Sequence, residues 1–108
     1  MSEADVAGVA VDTRHWIGGR RVASPATFTD LSPIDGQPLA EVARGGEAEV
    51  AAAVHAAREA FDGWSRTPPP DRAAVLHAIA DGIELHIEDL SQVETLDNGA
   101  LLLSLIHI

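Results

Sequence analysis

Residues 38–61 read PLAEVARGGEAEVAAAVHAAREAF, and the hydrophobic period changes inside this stretch. Pro38-Leu39-Ala40-Glu41-Val42-Ala43 has the character of a strand. Beyond Gly45-Gly46 the apolar residues Val50, Ala53, Val54, Ala57 and Phe61 recur at helical spacing and form one stripe. Glu47 and Glu49 fall in the first turn, where the partial positive charge of a helix start favours carboxylates. The period thus changes from strand to helix at the glycines, as in a chain of β-hairpin and helices.

Upstream, Arg14-His15-Trp16-Ile17 and Arg20-Arg21-Val22 flank Gly18-Gly19, a two-residue turn in which both residues tolerate positive φ. Thr27-Phe28-Thr29-Asp30-Leu31 is extended, and Ser32-Pro33-Ile34-Asp35-Gly36 has turn composition. The first third is thus expected to be a hairpin and meander, preceded by a mobile, weakly patterned leader over residues 1–13. Downstream, the first helix is expected to stop near Gly63-Trp64. Thr67 would N-cap a second helix whose first turn absorbs Pro68-Pro69-Pro70 and whose Leu76, Ile79, Ala80 and Ile83 point inward. Leu90, Val93 and Leu96 form a further turn system ending at Asn98-Gly99, a C-cap pair. Spacing leaves open whether His86–Asp89 separates the second helix from the third.

Composition narrows the function. The chain has 108 residues, 46% of them hydrophobic, with four aromatics and much alanine, which predicts a thin core. Seven arginines against 17 acids give a net charge of −10, a surface that repels nucleic-acid backbones and anionic membranes. Cysteine is absent, so this chain holds neither a disulfide nor a cysteine nucleophile. The acidic N-terminus lacks the character of a secretory signal, and a cytoplasmic protein is expected. Residues 103–108, LSLIHI, fit no preceding pattern. They match the translated mosaic end of transposon sequencing libraries and are expected to be an artefactual tail.

No phosphate-binding glycine motif, metalloprotease motif or nucleophile elbow is present, and the five histidines lack ligand spacing. Asp97 alone is out of place. It stands at a helix C-terminus, where free carbonyls disfavour negative charge by about 0.3–1 kcal/mol. Carboxylate and carbonyl oxygens together suit a hard cation. The plain alternatives are a solvent-facing turn residue or a cap on a neighbouring N–H.

Taken in order, these motifs resemble the NAD(P)-dependent aldehyde dehydrogenase superfamily. Trp16-Ile17-Gly18-Gly19-Arg20 is similar to its opening hairpin, and Ser32-Pro33-Ile34-Asp35-Gly36 with Leu39-Ala40-Glu41-Val42 to its N-P-x-x-G segment and following strand. Glu49–Phe61 with Trp64 resembles its first helix, Arg72 with Leu76 the start of its second, and Glu94-Thr95-Leu96-Asp97-Asn98-Gly99 its E-T-L-D-N-G segment. The resemblance implies that residues 14–102 are the N-terminal portion of a Rossmann-like cofactor domain, a β-hairpin and meander followed by two to three helices. It also implies NAD or NADP as cofactor, a small aldehyde as substrate, the rest of the same polypeptide as partner, and a homodimer or homotetramer when complete. The catalytic and cofactor-binding residues would lie downstream, leaving this chain inactive by itself. A monovalent cation site, for K+ or Na+, would take backbone carbonyls from Asp30 and Leu31 and a carboxylate oxygen from Asp97. Many members continue D-N-G-K-P, whereas Asn98-Gly99 here runs into Ala100-Leu101-Leu102. With Ser32 in place of asparagine, this leans toward the hydroxymuconic-semialdehyde dehydrogenases. The alternative is a non-catalytic helical interaction module derived from that family.

Overall fold

The computed structural model describes residues 3–101; the tail expected at 103–108 lies outside the described residues. The chain is α/β, and among the described residues six strands precede three helices. The strands pair as three antiparallel hairpins: β1 (Glu3–Val6) with β2 (Val9–Asp12), β3 (His15–Ile17) with β4 (Arg20–Val22), and β5 (Ala26–Leu31) with β6 (Pro38–Arg44). The helices are α1 (Glu47–Arg66), α2 (Pro69–Leu85) and α3 (Ile87–Asn98).

The expected hairpin at Gly18-Gly19 forms, with both glycines at positive φ. The leader differs from its reading. Residues 3–12 fold as a hairpin in which Ala4 faces Val11 and Val6 faces Val9. Its turn is Ala7-Gly8, both at positive φ, and the Asp5 carboxylate accepts the Gly8 N–H at 2.9 Å. Alanine is a rare occupant of that conformation, which disfavours a Cβ by about 1–2 kcal/mol, so composition did not mark the turn. The hairpin is anchored to the rest through β1, which packs on β6, and through the Ala43 N–H, which donates to the Thr13 carbonyl at 3.0 Å.

Helix α1 passes through Gly63 and Trp64 and ends only at Thr67. A helical glycine costs about 1 kcal/mol, which a helix of 20 residues tolerates. Proline is the stronger stop. The ring of Pro68 excludes the preceding residue from the helical region, and Thr67 is extended, at φ −63° and ψ 131°. Thr67 therefore closes α1, its hydroxyl donating back to the Gly63 carbonyl at 2.9 Å, instead of capping α2. Pro68 holds the α2 N-cap position, and Pro69 and Pro70 occupy the first turn as expected. His86 marks the junction the sequence left open. At φ −106° and ψ 19° it ends α2, its N–H reaching the Gly82 and Ile83 carbonyls, and α3 begins with the next residue.

The expectation that Leu76, Ile79 and Ile83 point into a core is not met. The molecule is a slab 18 Å thick, room for about one helix layer of 10–12 Å and a thin β layer. Neither α1 nor α2 buries a residue, and Val6 is the one buried apolar side chain among the described residues. Phe61 is 69% exposed and Leu76 62%. The periodicity was sound, since these residues do share helix stripes, but the layer that would cover them is not among these residues.

This predicts weak cooperativity for the chain alone. Thermal unfolding followed by circular dichroism should give a broad, shallow transition with helical signal persisting as tertiary order is lost. A sharp transition with equal calorimetric and van't Hoff enthalpies would contradict it.

Candidate cation site

Asp30 is the penultimate residue of β5, paired with Ala40 of β6. The register slips immediately after it: Leu31 pairs with Pro38, so Leu39 is the extra residue of a bulge. A bulge bends the strand and re-aims its side chains. Asp30 is half-buried, whereas the Leu31 side chain is 54% exposed.

Asp97 lies in the last turn of α3, whose end is built from two local devices. Gly99 takes the left-handed conformation, φ 79°, and its N–H donates to the Thr95 carbonyl at 2.9 Å. Asn98 caps the exit, its Oδ1 accepting the Ala100 N–H at 2.7 Å. A neighbouring amide, not Asp97, thus does the capping. Asp97 is freed for another use.

That use is a pairing with Asp30. The neighbouring Asp97 carboxyl, together with burial, holds Asp30 above the usual carboxylate range. Asp12, Arg14, Asp30 and Asp97 line one cleft of about 250 Å³, with Val6, Val11 and Val93 among its apolar walls.

Arg14 does not neutralise the pair, because Asp12 engages it. The Arg14 guanidinium donates to both Asp12 oxygens, at 3.1 and 2.7 Å, and its backbone N–H donates to the same carboxylate at 3.0 Å. These bonds hold Asp12 far below the usual carboxylate range, and Arg21 adds a weaker contact at 3.7 Å. Asp30 and Asp97 are therefore an uncompensated all-oxygen pair, which suits a hard cation in preference to a soft one. Among the described residues, no three His, Cys, Asp or Glu side chains form a group able to hold a metal. The side-chain donors the site brings together are thus two carboxylates.

Sequence reading singled out Asp97 for its charge and Asp30 for its carbonyl; the Asp30 side chain it missed. The signal was available in the alternation of β5, which puts Asp30 on the face opposite Thr29. The Thr27 and Thr29 hydroxyls instead bond Glu41.

The other glycine-to-helix junction is chemically different. At the start of α1 the Glu49 carboxylate accepts the Ser24 hydroxyl at 3.1 Å and the Gly46 N–H at 3.3 Å; these, after its own backbone N–H, keep Glu49 below its ordinary value. A carboxylate already occupies the electropositive helix end where a dinucleotide phosphate would bind. His55 pairs with Glu59 on the exposed face of α1 at 3.4 Å, and among the described residues no histidine lines the cleft of Asp30 and Asp97.

The element order, hairpins followed by three helices, defines an α/β chain. The model of the aldehyde dehydrogenase family matches residues 21–105, and the chain belongs to that family. It is 40% identical over 85 residues to the 5-carboxymethyl-2-hydroxymuconate semialdehyde dehydrogenase of Escherichia coli, covering 79% of this chain and 18% of that protein. It is 43% identical over 91 residues to the 2-hydroxymuconic semialdehyde dehydrogenase of Pseudomonas sp. strain CF600, covering 82% of this chain and 19% of that one. Among solved structures, the indole-3-acetaldehyde dehydrogenase of P. syringae in complex with NAD+ superposes with a TM-score of 0.86 at 36% identity, over 91% of this chain and 21% of that one. The chain thus spans less than a fifth of the length of these curated relatives.

Two predictions concern this region. Gly99→Ala should destabilise the α3 exit by about 1 kcal/mol, because an L residue there is strained at positive φ. The new Cβ would also stand 3.4 Å from the Pro33 Cγ. A denaturant midpoint unchanged from the parent in the complete protein would refute this. Asp12→Asn should speed amide exchange across Val9–Arg14 at neutral pH. Asp12 has a depressed folded value, so its contribution is full above the unfolded value of about 3.9 and lost as the pH falls through the folded one. The difference between parent and variant, corrected for intrinsic exchange rates, should therefore shrink below about pH 4. A difference that grows in acid would contradict the assignment.

Proposed function

We propose that this chain is the N-terminal scaffold of an enzyme that oxidises an aldehyde to a carboxylic acid with NAD+ or NADP+. The carrying observation is the 40% identity, sustained over 79% of the chain, to a dehydrogenase of a muconate-type semialdehyde. A second relative named for the same substrate type supports a conjugated semialdehyde from aromatic ring cleavage as the substrate class.

The chemistry belongs to residues beyond this chain, which contains no cysteine. In the family's reaction a cysteine thiolate adds to the aldehyde carbon, the resulting thiohemiacetal passes hydride to the nicotinamide, and an activated water releases the acid. Residues 3–101 contribute position. The uncovered stripes of α1 and α2 (Val50, Val54, Phe61, Leu76, Ile79 and Ile83 among them) are the faces the remaining polypeptide covers. Covering them is worth about 25 cal/mol for each Å² of apolar surface removed from water. The assembled protein acts as a cytoplasmic homodimer or homotetramer.

Within that scaffold Asp30 and Leu31 offer backbone carbonyls and Asp97 a carboxylate to K+ or Na+, and the Asp30 carboxyl strengthens the set. A bound cation would neutralise the pair and tie β5 to the end of α3.

The test of activity is to express the full reading frame of which this chain is part and follow nicotinamide reduction with 2-hydroxymuconic semialdehyde, betaine aldehyde and a simple aliphatic aldehyde. Reduction coupled to formation of the matching acid is expected, fastest with the conjugated semialdehyde. No reduction with any of the three would overturn the reading. For the cation, Asp97→Ala in the same protein should lower the melting temperature by about 2–4 °C and flatten its response to potassium and sodium chloride. If parent and variant melt alike in these salts and in a bulky organic chloride, the cation site is wrong even where activity is found.

A further inference from the structure

We draw no further inference here: the strongest candidate, the cleft of about 250 Å³ between the β1–β2 hairpin, β6 and α3 that Asp12, Arg14, Asp30 and Asp97 line, belongs to the cation site already described.

Discussion

An amphipathic helix is stable in water chiefly through the face it buries, because forming its backbone hydrogen bonds barely offsets the entropy of ordering the chain. Helices α1 and α2 have such faces and bury nothing with them. Their geometry is fixed instead by proline, glycine and short polar contacts at their ends. Thr67 before Pro68 closes α1, Pro69 and Pro70 open α2, and His86 separates α2 from α3. These devices set where helices start and stop; they do not supply a core. The stripes led by Phe61 and Leu76 stay exposed among the described residues.

The β half is better consolidated, for a local reason. Hairpin partners are close in sequence, so little loop-closure entropy opposes them. Polar contacts then join one hairpin to the next. The Ser24 hydroxyl reaches the Arg44 carbonyl and Glu49, while Arg14 and Arg21 converge on Asp12. Val6 is buried where β1 meets β6. What the chain has of a core is therefore at the junction that also carries Asp30, across the cleft from Asp97.

Much of this could be read from residue order. Gly18-Gly19, Ser32–Gly36 and Asn98-Gly99 each impose a conformation through their own backbone preferences, so they appear where the sequence puts them. The readings that differed involve competition between signals. Gly63 permits a helix to end, but Pro68 compels it, and compulsion won. Ala7-Gly8 makes a turn of the type usually made by Asn-Gly, held by the Asp5 carboxylate, and only the alternation of Ala4, Val6, Val9 and Val11 announced it. The inward direction assigned to Leu76 and Ile79 depended on a neighbour that periodicity alone does not contain. The bulge at Leu39, which accompanies the half-burial of the Asp30 side chain, is a register effect of two strands together and had no signature in either.

Electrostatics explains why the pair is the feature to follow. Carboxylates at the starts of the helices (Glu47 and Glu49, Asp71, Glu88 and Asp89) sit where the macrodipole favours them. Asp97 sits at the opposite end, where it is disfavoured, and the last turns of α2 and α3 contain no basic residue to relieve it. Asp30 adds a second negative group to the same place, in a chain whose net charge is already −10. Asp12 and Glu49 meet their counterparts within the described residues, through Arg14 and through the Gly46 amide and Ser24. Neither Asp30 nor Asp97 forms a salt bridge among the described residues. On the proposed reading, a cation there would act as a fastening rather than a reaction centre, joining the strand layer to a helix whose last turn has no basic side chain.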